Sequence, residues 1–136
     1  GDDPQRTKVL LALLLCLRGT PILYQGDELG LPQAYVPFDR LRDPEAIAFW
    51  SHGAGRDGAR TPMPWTITKP LAGFTTGDDS WLPMDPRHRN NAVDVQAGEA
   101  GSVLNFTKIL LELRRKTPAL RRGDCTTLDP CGDALI

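Results

Sequence analysis

The residues best suited to chemistry lie in Gly55-Arg56-Asp57-Gly58-Ala59-Arg60-Thr61-Pro62-Met63-Pro64-Trp65. Two arginines offer planar donors to hydroxyls or carboxylates, and Trp65 offers a flat apolar face. Gly58 permits a tight turn, and Pro62 and Pro64 stiffen the backbone leading to Trp65. Arg60 and, less strongly, Arg56 are therefore the candidate ligand-binding residues. The alternative for Arg60 is a structural ion pair with Asp57 or another loop acid, and for Arg56 a solvated side chain. Two acidic doublets, Asp27-Glu28 and Asp78-Asp79, carry carboxylates of the kind used in acid–base catalysis. Neighbouring residues on a strand point to opposite faces, so the first pair does not converge. The second sits among glycine and serine and reads as a solvated turn. Glu28 is expected to accept backbone hydrogen bonds rather than to touch a ligand. Ser51, Ser80 and Ser102 lack a histidine arrangement that would make one a nucleophile. His52 and His88 fall outside zinc-ligand spacing from the cysteines, so no metal site is expected.

The elements that must hold these residues read as α/β. Asp3 and Pro4 begin a helix running from Arg6 to about Arg18, apolar from Val9 to Leu17 and therefore expected to be buried on most sides. Cys16 is expected to lie in the core with its leucine neighbours. Gly19 and Thr20-Pro21 end the helix, and Ile22-Leu23-Tyr24 reads as a short, fully buried strand. Asp43-Pro44-Glu45 starts a short helix reaching Trp50. From Ser51 to Gln96 no period emerges. Trp65, Phe74, Trp81 and Met84 argue against disorder there, so the stretch reads as an ordered excursion with aromatic anchors. Trp65, Trp81 and Tyr24 are read as core anchors before ligand-stacking platforms. Ser102 caps a last helix, Val103 to Lys116, with an apolar stripe at Val103, Phe106, Ile109, Leu110 and Leu113. Arg114, Arg115 and Lys116 suit its C-terminal dipole, and Thr117-Pro118 stops it. Asn105 matches a glycosylation sequon, which inside a helix is read as chance. Ala134-Leu135-Ile136 looks like the beginning of a strand.

A net charge of −1 gives no electrostatic footprint for nucleic acid or anionic lipid. The apolar run is too short to span a bilayer, and the acidic start Gly1-Asp2-Asp3 is unlike a signal peptide. Cys125 and Cys131 flank a predicted turn and are read as free thiols. These features favour a cytoplasmic protein. One buried strand without a second to pair with, beside a helix apolar on most faces, suggests part of a larger α/β protein that self-associates when isolated.

Both long motifs resemble the α-glucosidase branch of the α-amylase superfamily, glycoside hydrolase family 13. Gly19-Thr20-Pro21 through Gln25-Gly26-Asp27-Glu28-Leu29-Gly30 is similar to that family's eighth barrel strand and exit loop. The Gly55–Trp65 segment is similar to one typical of α-glucosidases, oligo-1,6-glucosidases and trehalose synthases. Gly73-Phe74-Thr75, Trp81-Leu82-Pro83 and the helix ending Leu113-Arg114-Arg115-Lys116-Thr117-Pro118 occur in the family's order. The resemblance implies the C-terminal part of a (β/α)8 TIM barrel over residues 1–122 and a truncated start of a β-domain over 123–136. It implies a retaining α-glucosidase acting on maltose, sucrose or short oligosaccharides without a cofactor. The catalytic carboxylates would lie outside this chain, since no Asn-His-Asp motif is present, and no catalytic residue is assigned. Arg60 would hold the terminal glucose. A trehalose synthase or sucrose isomerase of the same superfamily is the nearest alternative. A stand-alone, non-catalytic carbohydrate-binding or interaction module is the other.

Overall fold

The computed structural model describes residues 3–50, 52, 55–124 and 126. Among them the order is α1 (Pro4–Cys16), α2 (Pro44–Ala48), α3 (Pro86–Arg89), α4 (Val93–Gly98), α5 (Val103–Lys116) and α6 (Pro118–Arg122), with four 3-10 turns between α1 and α3. The expected helix starts are present. The Asp3 carboxylate accepts from the backbone of Gln5 and Arg6, that of Asp43 from Glu45, and the Ser102 hydroxyl from Asn105. Each cap satisfies donors that a first helical turn leaves orphaned. Thr117-Pro118 stops α5 but also starts α6, because proline is well suited to a first helical position.

α1 packs against α5 through Leu11, Leu15, Val103 and Leu110, with Ala12, Leu23 and Phe106 at the margin. The all-round burial expected of α1 is not found. Val9, Leu10, Leu13, Leu14, Leu17 and also Cys16 are exposed, because α5 covers only one side. The apolar stripe of α5 is likewise rotated: Ile109 and Leu113 are exposed, while Leu104, Thr107 and Arg114 are buried. Arg114 explains the rotation. Its guanidinium reaches across to the carbonyls of Leu15 at 2.7 Å, Leu17 at 3.0 Å and Gly19. These carbonyls lie at the end of α1 and just beyond it, where no further helical turn supplies N–H partners. Arg114 thus serves the C-terminus of another helix rather than its own. Asn105 behaves similarly, donating to the carbonyls of Gln96, Ala97 and Glu99 at the end of α4.

Ile22-Leu23-Tyr24 is not helical, but neither is it a buried strand. No strand occurs among the described residues, and Ile22 is 79% exposed. A strand exists through ladder hydrogen bonds, and these described residues supply no neighbour to make them. The excursion expected over Ser51 to Gln96 is ordered in its described residues and continues an irregular stretch that starts at residue 31, but its aromatic residues are not the anchors expected. Trp65, Phe74 and Trp81 are each about half exposed or more, as is Tyr24. The excursion is held instead by a small apolar cluster of Val36, Leu41, Ala46 and Leu82 and by buried polar groups, including Asp43, Asp57, Asp85 and His88. Cys125, Cys131, Ser51 and the expected strand at Ala134-Leu135-Ile136 lie outside the described residues.

Candidate functional site

The site is built where the extended segment ends. The Tyr24 backbone N–H donates to Asp27 at 2.8 Å, and that of Gly26 to Glu28 at 3.0 Å. Both members of this acidic doublet therefore fasten the exit turn, as expected for Glu28. Gly26 sits at φ +92°, a left-handed conformation that favours glycine. Between them, Gln25 extends its side-chain amide to the excursion. Its Nε2 donates to the carbonyl of Thr61 at 3.1 Å and faces that of Ala59 at 3.4 Å.

Arg60 lies between those two carbonyls and comes to the carboxyl end of the Ile22–Tyr24 segment. Interaction with the Tyr24 side chain is the main reason its pKa stands above the ordinary arginine value; burial opposes this, and the Asp43 and Asp57 carboxylates reinforce it. The Arg60 Nη1 is 4.0 Å from Asp43 Oδ2, with the side chain 34% exposed. Arg56 pairs with the same oxygen at 3.3 Å, but its side chain is 67% exposed. The two arginines thus converge on one carboxylate, Arg60 from a partly enclosed position and Arg56 from solvent.

Two aspartates hold this arrangement by capping one another's segments. Asp57 Oδ2 accepts from the backbone N–H of Arg42 at 2.6 Å and of Asp43 at 2.8 Å. Asp43 in turn accepts from the backbone of Arg56 at 2.9 Å and of Glu45 at 3.0 Å. The Arg56 N–H contributes most to holding the Asp43 pKa below the usual carboxylate range, followed by the Glu45 N–H, with burial acting against them. Gly58 makes the crossing close. A Cβ there would stand 2.5 Å from the Ala34 carbonyl, while the Ala34 N–H donates to Gly58 at 2.9 Å.

Beside the site is a cavity of about 210 Å³ lined in part by Tyr24, Gln25, Thr61, Met63 and His88. His88 is buried, with Nε2 2.7 Å from the Pro32 carbonyl. Among the described residues, His88 Nδ1 and Asp57 Oδ1 are buried without a hydrogen-bond partner. No three His, Cys, Asp or Glu side chains converge as metal ligands among the described residues. Asp79 of the second doublet is exposed and pairs with Arg40 at 3.0 Å.

A guanidinium is always cationic and carries five N–H donors, more than Tyr24 and Asp43 take up. The arrangement suits a ligand rich in hydroxyl groups or carrying a carboxylate. Sequence reasoning singles out Arg60 and Arg56 but not the acid between them, because Asp43 reads there only as a helix start. In the alternative reading Arg60 pairs with Asp57 or another loop acid; the acid near it is Asp43, while Asp57 accepts backbone N–H groups. Gln25 escapes such reasoning because a lone glutamine in a turn carries no spacing signal.

Known proteins share this chain's sequence and shape. The alpha amylase catalytic domain matches over residues 1–123. A relative from Rhizobium meliloti (strain 1021), described as a probable alpha-glucosidase, is 40% identical over 134 residues, covering 98% of this chain and 24% of its own length. The trehalose synthase/amylase TreS of Mycobacterium tuberculosis (strain CDC 1551 / Oshkosh) is 36% identical over 128 residues, covering 90% of this chain and 18% of its own. The crystal structure of an alpha-glucosyl transfer enzyme, XgtA, superposes with a TM-score of 0.90 at 47% identity, covering 98% of this chain and 24% of that one. This chain therefore spans about a quarter or less of the length of these proteins. With the family's catalytic-domain model matched across nearly all of its residues, the chain belongs to the alpha-amylase family, glycoside hydrolase family 13.

Proposed function

We propose that the chain is the closing part of the catalytic barrel of a retaining α-glucosidase, residues 1–122, followed by the first residues of a β-domain. In this reading Ile22-Leu23-Tyr24 is the eighth barrel strand, and the exposed side chain of Ile22 faces neighbouring parts of the barrel. Barrel enzymes build their sites on loops at the carboxyl ends of the strands. The single observation that carries the reading is Arg60, brought to that end of the segment against Tyr24 and stationed by Asp43. Arg60 binds the hydroxyls of the terminal glucose, and Arg56 lies at the rim. Retaining hydrolysis requires two carboxyl groups about 5–5.5 Å apart. Those groups are contributed from outside this chain, which by itself does not hydrolyse glucosides. The substrate is maltose, sucrose or a short oligosaccharide, and the setting is cytoplasmic.

A second reading is transfer or isomerisation of the glucosyl unit. It is favoured by the 47% identity to a glucosyl transfer enzyme and by the relative described as a trehalose synthase. Product analysis of the whole enzyme separates the two. Two glucose molecules per maltose lost support hydrolysis; at most one glucose per maltose lost, with the other glucosyl unit recovered on an acceptor, supports transfer; a new disaccharide without free glucose supports isomerisation. The 136-residue chain incubated with p-nitrophenyl α-glucoside is expected to give no turnover above buffer. Turnover that co-purifies with the chain would contradict the assignment of the carboxylates to other segments.

A further inference from the structure

We propose that Gln25 is a positioning residue that fixes Arg60 by hydrogen bonding to the carbonyls on both sides of it. This rests on the reading of Arg60 as a sugar-binding residue and extends it to the group that sets its place. The contacts are 3.1 Å to the Thr61 carbonyl and 3.4 Å to that of Ala59, so one side-chain amide bridges the carbonyls of the two residues that flank Arg60. The side chain of the adjacent residue, Tyr24, interacts with the Arg60 guanidinium. Two consecutive residues at the end of the extended segment therefore hold the same arginine, one by its backbone and one by its side chain. The backbone has a further tie on its opposite side, where the Arg60 N–H donates to the Asp57 carbonyl at 2.9 Å. The Gln25 bonds tie this 3-10 turn to the segment carrying Tyr24. Without them the turn can shift relative to Tyr24, and its hydrogen bond at the Arg60 N–H is expected to open more often. Displacement of a substrate-holding group by about 1 Å can cost on the order of a hundredfold in rate.

The test uses the whole enzyme and Gln25→Met, which keeps the side-chain length but removes both donated bonds. KM for p-nitrophenyl α-glucoside is expected to rise about tenfold, while the melting temperature changes little. In a background of Arg60→Ala, the same Q25M substitution is expected to change kcat/KM by less than about twofold, because the residue it positions is gone. Unchanged kinetics in Q25M would overturn the inference. So would a loss that persists undiminished in the R60A background, or a fall in active fraction at constant KM. Hydrogen exchange separates this inference from the reading beneath it. In Q25M the Arg60 backbone N–H is expected to exchange faster, and unchanged exchange would overturn the positioning role. If R60A alone retained full activity while that exchange still quickened, the sugar-binding role of Arg60 would fall and the Gln25 grip would stand.

Discussion

The α1/α5 pair and the excursion over residues 31–96 are stabilised by different means. The helices meet through Leu11, Leu15, Val103 and Leu110, and their outward faces keep Val9, Leu13, Ile109 and Leu113 exposed. The excursion has a smaller apolar cluster, and much of its order comes from aspartates that accept backbone N–H groups. Apolar packing can be divided between segments, since either half of an interface remains a helix. In the excursion the carboxylate acceptors and their N–H donors belong to the same stretch of chain, as with Asp57 and Arg42 or Asp85 and Tyr35. The excursion thus holds its geometry around Arg60 with polar groups of its own, while the helices leave apolar surface uncovered among the described residues.

Substitutions on the two sides sharpen this contrast. Leu15 is fully buried between the helices, and Leu15→Ala is expected to cost about 3 kcal/mol through lost burial and a residual cavity. Asp57→Ala removes the acceptor of one buried and one partly buried backbone N–H group and is expected to cost about 2 kcal/mol, somewhat less. Chemical denaturation of both variants checks the pair; an Asp57→Ala cost near zero would show that apolar contacts alone hold the excursion.

Acid provides a milder perturbation that should act on the excursion first. The Arg87 side chain is the main cause holding the Asp85 pKa at about 2, helped by the Arg87 backbone N–H and opposed by burial. A carboxyl depressed on folding contributes stability above its unfolded pKa. That contribution is lost as pH falls from about 4 through 2. The gap in melting temperature between the parent and Asp85→Asn is therefore expected to be widest above pH 5 and to narrow toward pH 2. A constant gap would show that ionisation of Asp85 is not what stabilises this turn. The smallest effect on stability is expected on the exposed face of α1. Val9→Lys with Leu13→Lys should change the melting temperature of the 136-residue chain very little, since surface substitutions usually stay within about 0.5 kcal/mol. The same pair should reduce self-association in sedimentation, and unchanged sedimentation would show that this face does not drive it.

Local signals are legible in the sequence, and long-range ones are not. Asp3, Asp43 and Ser102 announce their helices because a cap acts on residues two or three positions away. The Gly55–Trp65 motif carries Arg60, and the family resemblance rests largely on it. The sequence overstates the burial of α1 because an apolar run does not say whether its partners are in the same chain. Arg114 looks like a dipole partner of its own helix, since nothing nearby reveals that the end of α1 lies across from it. Trp65 and Trp81 look like anchors by size alone, whereas Asp57 and Asp85 hold the excursion through hydrogen bonds. Gln25 becomes informative only when Thr61 and Ala59 are brought beside it.

The two arginines of one motif are unequal, because Arg60 is held by Tyr24 and Asp43 while Arg56 reaches into solvent. Measuring kcat/KM for p-nitrophenyl α-glucoside with Arg60→Ala and Arg56→Ala in the whole enzyme tests this directly. Removing a charged hydrogen-bonding partner of a bound sugar is expected to lower the R60A value roughly a hundredfold. R56A is expected to stay within about threefold of the parent, as befits an exposed pair. Equal losses in the two variants, or an R60A enzyme as active as the parent, would contradict the account.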